Sequence, residues 1–343
     1  MYKRIRLMFI MLIIWFVGIG VYAVYQLEQT LQLDEPIVMN YPKGSPLSRF
    51  FLELENKQIM EDSRWIMLIA KMTGQARQAH AGSYELTADM NAWQVLDKLV
   101  TGDTIQYQIT LVEGQTVAET LRRLAAHPQL KQDLPGDPVA LMQYLDLQGH
   151  PEGRFFPDTY KFDPGTPASK ILIRAQIRLE MVLAEEWRDR MPGLPYDSPY
   201  DALIMASLIE KETGVPSERD EIAGVFVRRL ERNMRLQTDP TIIYGLGDRY
   251  KGNIRRRHLL EKTPYNTYRI NGLPPTPIAL VGREAIHAAL NPKDGSSLYF
   301  VAKGDGSHKF SETLEEHNAA VRQYQLNRSE NYRSSPQSNS QEN

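Results

Sequence analysis

The chain has 343 residues, which exceeds one average domain and leads us to expect two folded units. Its 40 basic and 42 acidic residues give a formal net charge of -2, without the basic excess that tracks a phosphate backbone, so nucleic acid is not an expected partner. The absence of cysteine excludes disulfides, thiolate nucleophiles, thiolate metal sites and a lipidated N-terminal cysteine, while leaving the compartment open.

The compartment is read from the first elements. Residues 7–25 are 19 uncharged positions rich in Ile, Leu, Met, Phe and Val, long enough as a helix to span about 30 Å of hydrocarbon. Lys3, Arg4 and Arg6 precede this run and the first charge after it is Glu28. The basic bias predicts a cytoplasmic N-terminus over 1–6, a single-pass inner-membrane helix over 7–25 and a periplasmic remainder. A cleaved signal peptide is the competing reading, with Val21-Tyr22-Ala23 as a weak cleavage site, but the apolar run exceeds a signal core of roughly 7–15 residues.

Residues 26–36 are polar and read as a stalk. A small module over 37–105 follows: a strand at Ile37-Val38-Met39-Asn40-Tyr41, a turn at Pro42-Lys43-Gly44-Ser45, and a helix over 47–55 with Leu47, Phe50, Phe51 and Leu54 on one face. A second helix over 63–72, a strand over 82–86 and a helix over 91–99 with Trp93, Val95, Leu96 and Leu99 complete it. The strand, helix, helix, strand order resembles a LysM-like glycan-binding module; a plain packing domain or spacer is the alternative. A strand over 109–112 and a helix over 117–125 echo the opening of the module as a degenerate repeat. Residues 326–343 are mostly polar and are expected to be a disordered tail.

The chemistry concentrates on a helix expected over 199–213. Ser198 is suited to cap it, Pro199 to occupy its first position and Gly214 to close it in the left-handed conformation. At ~100° per residue, Glu212 falls inside the apolar sector made by Ile204, Met205, Leu208 and Ile209, Glu210 lies on a less apolar arc, and Lys211 sits at the sector's edge. Burial raises a carboxyl's pKa and keeps a proton available near neutrality, which suits a general acid. The rival reading is an ion pair between Glu212 and Arg219, Arg228 or Arg229. The residues alone define a candidate acid.

The blocks around that helix are more specific. Ala206-Ser207-Leu208-Ile209-Glu210-Lys211-Glu212-Thr213, Ser217-Glu218-Arg219-Asp220, Met234 through Gly245 with its Gln237-Thr238-Asp239-Pro240 turn, Tyr265-Asn266-Thr267-Tyr268 and Gly272-Leu273-Pro274-Pro275 together resemble the MltG/YceG family of endolytic murein transglycosylases. Leu111-Val112-Glu113-Gly114, Phe155-Phe156-Pro157-Asp158-Thr159-Tyr160, and Leu298-Tyr299-Phe300-Val301-Ala302 with His308 and Phe310 look like the same family. The likeness runs in order from about residue 40 to about 325. It implies an α+β chain: an N-terminal transmembrane helix, the LysM-like module, and a mixed α+β catalytic domain over 106–325 with its acid on a buried helix.

The resemblance further implies cleavage of the bond between N-acetylmuramic acid and N-acetylglucosamine in nascent glycan strands, leaving 1,6-anhydro ends, in cell-wall synthesis and strand termination. One glutamate serves as acid and then as base, whereas ordinary glycosidases use two carboxylates. Glu212 precedes a small hydroxyl residue, as the acid of lysozyme-like transglycosylases does, and Glu210 is kept as the alternative acid. Gln237, Thr238, Asp239, Tyr265, Asn266, Thr267 and Tyr268 are the expected substrate contacts. Peptidoglycan strands and the inner membrane are the expected partners, with glycan polymerases and transpeptidases as family-level candidates. His258, His287 and His308 lack metal-ligand spacing, so neither metal nor cofactor is expected. A non-catalytic glycan-binding scaffold and a hydrolytic muramidase are the rival functions.

Overall fold

The computed structural model describes residues 2–326, with side chains from Ile5 onward. The side chains of Lys3 and Arg4, and the tail expected to be disordered beyond Leu326, therefore lie outside what is described. The architecture is mixed α+β, and the chain divides into two compact units: residues up to Gln108 with Lys161–Thr166, and Ile109–Tyr160 with the chain from Pro167 onward.

The first unit begins with α1 (Tyr2–Glu28), an apolar helix long enough to cross a membrane. It continues with β1 (Ile37–Tyr41), α2 (Leu47–Asn56), α3 (Arg64–Met72), β2 (Gly82–Leu86) and α4 (Ala92–Thr101). β1 and β2 pair antiparallel with Met39 opposite Tyr84. The three- and four-residue spacing of Leu47, Phe50, Phe51 and Leu54 does what an apolar stripe must: all four are buried, against Met39, Ile66, Tyr84, Leu86, Val95, Leu96 and Leu99. Asn91 caps α4 through a reciprocal pair of hydrogen bonds with Gln94.

One expectation changes here. Residues 26–36 are not a free stalk, because α1 continues to Glu28, Leu27 and Leu31 are buried in the unit's core, and Thr30 bridges to Asn91. Two leucines spaced by four in a polar stretch are enough to dock it. Of the apolar residues named for the helix over 91–99, Val95, Leu96 and Leu99 are buried and Trp93 is exposed.

The second unit is built on helices. β3 (Tyr107–Thr110) leads into it, two residues earlier than the strand expected over 109–112, followed by α5 (Val117–Ala125), α6 (Pro138–Tyr144), β4 (Thr159–Phe162), α7 (Ala168–Arg188), α8 (Pro199–Glu212), α9 (Arg219–Glu231), α10 (Asp239–Leu246), α11 (Arg256–Leu260) and α12 (Arg283–Leu290). It ends with β5 (Tyr299–Ala302), β6 (His308–Ser311) and α13 (Leu314–Val321). Among the described residues the strands form three two-stranded ribbons, β1-β2, β3-β4 and β5-β6, so no large sheet organises the unit. Its centre is α8, which packs against α7, α9, α10 and α12. All eight positions of 202–209 are buried.

Close approach of a loop to α9 depends on one glycine. A Cβ at Gly224 would sit 2.4 Å from the backbone oxygen of Lys293, in a loop that also donates its Lys293 N–H to the Asp220 carbonyl at 2.9 Å. A backbone atom cannot swing aside as a side-chain tip does. Gly224→Ala is therefore expected to lower the thermal midpoint even though alanine is the better helix former by about 1 kcal/mol. An unchanged or higher midpoint in calorimetry would contradict this packing.

Candidate active site

Local sequence fixes both ends of α8. The Ser198 hydroxyl accepts from the Asp201 N–H and the Asp201 carboxylate accepts from the Ser198 N–H at 2.8 Å, with Pro199 at the first helical position. The C-terminal end differs from expectation. Gly214 does not adopt a left-handed conformation; Thr213 instead turns extended (φ -138°, ψ 136°) and its hydroxyl accepts from the Val215 N–H at 2.9 Å. The helix thus stops with Glu212 in its last turn, where the negative end of the helix dipole also disfavours a carboxylate.

Glu212 is part-exposed and lines a groove of about 780 Å³ with Lys211, Arg229, Gln237, Asp239, Tyr250 and Tyr268 among others. That volume lies within the ~300–1,000 Å³ typical of ligand sites. Burial pushes the Glu212 carboxyl up to about 7; Asp239 adds to the rise, while the Thr238 hydrogen bond and Arg229 oppose it. The Thr238 hydroxyl donates to Glu212 Oε1. Among the described residues no Lys, Arg or His nitrogen lies within 4.0 Å of this carboxyl, so the ion pair weighed from sequence does not form.

Thr238 is held by a second layer. Its N–H donates to Thr267 Oγ1 at 3.0 Å, its carbonyl accepts from Thr241 Oγ1 at 2.7 Å, and the Thr241 and Thr267 hydroxyls meet at 2.9 Å. All three threonines are buried. Gln237, just before them, has φ +53°, the left-handed region that a non-glycine residue enters only when its surroundings hold it there.

Glu210 faces elsewhere. It does not line the groove, its Oε2 accepts from the Gly282 N–H at 3.1 Å, and its Oε1 lies 3.9 Å from Arg219 Nη2. Arg219 also pairs with Glu284. Burial, aided by Glu113, pushes Glu210 up to about 7 as well. Proton affinity therefore does not separate the two acids, but access to the groove does.

The other sequence candidates split in two. Gln237, Asp239 and Tyr268 line the groove, with the Tyr268 hydroxyl donating to Asp239 Oδ1 at 2.8 Å. Tyr265, Asn266 and Thr267 do not. The Asn266 amide donates to the carbonyls of His258, Leu259 and Glu261, Thr267 belongs to the threonine layer, and the Tyr265 hydroxyl meets Thr276 Oγ1 at 2.8 Å. These are structural roles in the turn beneath the groove. Conversely, Arg229, Tyr250, Tyr299 and His308 line the groove without having been singled out as contacts. Arg229 was legible only as a possible partner of Glu212, and an isolated tyrosine carries no signal of its own. Among the described residues no three His, Cys, Asp or Glu side chains gather closely enough to hold a metal ion.

A third carboxyl, Glu152, is also displaced by burial to about 7; it accepts from the Val117 N–H at 2.8 Å and from the Tyr244 hydroxyl at 3.2 Å. Glu152, Glu210 and Glu212 all have folded pKa values above the ordinary 4.5. A raised carboxyl favours the folded state in its protonated form, so this contribution is complete below about 4.5 and is lost as pH rises through about 7. The thermal midpoint is expected to fall between about pH 5 and pH 7.5, and Glu152→Gln to flatten that fall. A midpoint that rises across the window would contradict the burial of these groups.

The central helix thus ends at a groove walled by two carboxyls, Glu212, which burial pushes up to about 7, and Asp239. The sequence model of the YceG-like family matches residues 39–323, and the chain belongs to that family. It is 33% identical over 306 residues to a Bacillus subtilis protein named endolytic murein transglycosylase, covering 83% of this chain and 84% of the relative. A Streptococcus pneumoniae protein of the same name is 25% identical over 346 residues, 88% of this chain, and the match spans 61% of that longer relative. A crystal structure of a yceG-like protein from Listeria monocytogenes superposes with a TM-score of 0.53 at 33% identity, covering 83% of this chain and 99% of that one.

Proposed function

We propose that this chain is an endolytic murein transglycosylase in which Glu212 is both general acid and general base. The observation that carries the reading is a carboxyl displaced to about 7 by burial, free of any ion pair among the described residues, at the wall of a groove large enough for sugar. Membership of the YceG-like family and the name of the Bacillus subtilis relative support the same reaction.

In that reaction Glu212 protonates the glycosidic oxygen between N-acetylmuramic acid and N-acetylglucosamine, and the bond to the muramic anomeric carbon breaks. The resulting carboxylate takes the proton from the muramic 6-hydroxyl, whose oxygen closes onto the same carbon. Thr238 steadies the carboxylate through charge-assisted hydrogen bonding. Gln237, Asp239 and Tyr268 contact the sugar, a reading supported by their lining the groove wall. Mass spectrometry of the products tests this: every new muramic end should be one water lighter than a hydrolysed end. Hydrolysed ends would instead identify a muramidase.

The reading extends to placement. α1 serves as a single-pass anchor in the inner membrane with the N-terminus cytoplasmic and the remainder periplasmic, close to the polymerases and transpeptidases of wall synthesis. Protease treatment of spheroplasts should digest everything after α1, and a protected chain would contradict the orientation. The first unit serves as a LysM-like glycan-binding module, supported by its strand, helix, helix, strand order and by exposed Trp93. Trp93→Ala in the full chain is expected to reduce co-sedimentation with murein sacculi, and undiminished retention would leave the unit a spacer.

A further inference from the structure

Arg229 has a contact pattern that its own fold does not complete. It lies in the last turn of α9, buried to 7% exposure, yet it lines the Glu212 groove. Its Nε donates to the Leu298 carbonyl at 2.6 Å, and its Nη1 donates to the carbonyls of Leu236 at 2.7 Å and Arg235 at 3.3 Å. The Tyr299 ring lies under the guanidinium at 5.1 Å and is backed by His317, stacked at 5.2 Å. One edge of the guanidinium is thereby fixed by neutral acceptors and an aromatic face. Nη2 has no partner among the described residues, and no carboxylate oxygen among them lies within 4.0 Å of this arginine.

A buried guanidinium without an anion is costly, and burial indeed pulls Arg229 below the ordinary arginine range. Carbonyl oxygens offset part of that cost and supply no charge. Neither carboxyl on the groove wall pairs directly with it: Glu212 interacts with Arg229 only from beyond 4.0 Å and accepts from Thr238, and Asp239 accepts from Tyr268. The wall near Arg229 also carries His308, whose Nδ1 lies 2.7 Å from Glu218 Oε2, leaving Nε2 as the ring atom without a hydrogen-bond partner among the described residues.

We propose that Arg229 is a carboxylate-binding residue of the groove, with Nη2 donating to an acidic group carried on the muramic acid side arm. This rests on the murein reading. Guanidinium favours carboxylate and phosphate, and a murein strand offers the carboxylate. The muramic lactyl arm bears a free carboxylate when it is bare, and stem-peptide carboxylates when it is substituted. Either source supplies the anion the site lacks.

The test uses four strand preparations: peptide-bearing strands, peptide-free strands with the lactyl carboxylate exposed, and each of these two with its carboxyls converted to methylamides. Binding is measured by calorimetry on the Glu212→Gln chain, so that it does not depend on cleavage. Methylamidation is expected to weaken binding about tenfold or more, and in the wild-type chain to raise KM with kcat little changed. Preference for peptide-free or for peptide-bearing strands identifies which carboxylate is read. Arg229→Gln, checked for folding by circular dichroism, should bind blocked and unblocked strands alike, and Arg229→Lys should keep part of the preference. Equal binding of blocked and unblocked strands by the Glu212→Gln chain overturns the proposal, whether or not the Arg229 variants fold. Failure of the wild-type chain to cleave strands that it binds in a carboxylate-dependent way overturns the transglycosylase reading instead.

Discussion

Glu212→Gln is expected to lower the rate of glycan cleavage by at least about a thousandfold, because general acid and general base each contribute roughly 10²–10⁴-fold and one group supplies both. Glutamine is nearly isosteric, so the Thr238 hydroxyl keeps an acceptor. A neutral side chain also removes the cost of ionising a buried carboxyl above about pH 7, so the variant should be at least as thermostable as the wild type there. Glu210→Gln is the matched control. Its carboxyl is displaced to a similar value, yet it is committed to the Gly282 N–H and Arg219 and faces away from the groove. It should retain most activity, and the reverse pattern, an active Glu212→Gln and an inactive Glu210→Gln, would move the acid to position 210.

The second large effect is at Thr238. Its hydroxyl donates to Glu212 and opposes the rise in that carboxyl's pKa. A hydrogen bond to a charged group contributes about 1.5–3 kcal/mol, so Thr238→Val should shift the alkaline limb of the pH–rate profile upward from about 7 and slow the reaction at neutral pH by roughly 10–100-fold. Thr238→Ser restores the donor and should restore both. A merely structural threonine would lower activity without moving the limb. Unchanged pH dependence in the valine variant would place the hydroxyl outside the chemistry.

The elements of the first unit were legible because α1 is apolar throughout and α2, α3 and α4 are amphipathic: Leu47, Phe50, Phe51 and Leu54 leave only one way to bury α2. α8 was legible by its N-terminal cap at Ser198 and Pro199 and much less by its C-terminal end or its pattern. Since residues 202–209 are buried on every side, no single apolar sector exists, and the sector argument that favoured Glu212 rested on an amphipathicity the helix does not have. What separates Glu212 from Glu210 is where the groove opens, a property of residues far along the chain.

The polar turn was half legible for a related reason. Tyr265-Asn266-Thr267-Tyr268 reads as a row of sugar-binding groups, and composition cannot tell a side chain that faces a ligand from one that satisfies the protein's own backbone. Asn266 gives its amide to three carbonyls and Thr267 gives its hydroxyl to the Thr238 layer, so only Tyr268 is left for the groove. The Thr238–Thr267 bond joins residues 29 positions apart. No local pattern carries that pairing, nor the meeting of Arg229 with Leu298.

The account is tested most directly by the crystal structure of the Glu212→Gln chain with a murein oligosaccharide bound. The account places the side chain at position 212 within about 3 Å of the glycosidic oxygen between a muramic residue and its glucosamine neighbour, with the muramic 6-hydroxyl on the side it must approach. Sugar bound along a different surface, or a groove occupied with that oxygen out of reach of position 212, would contradict it.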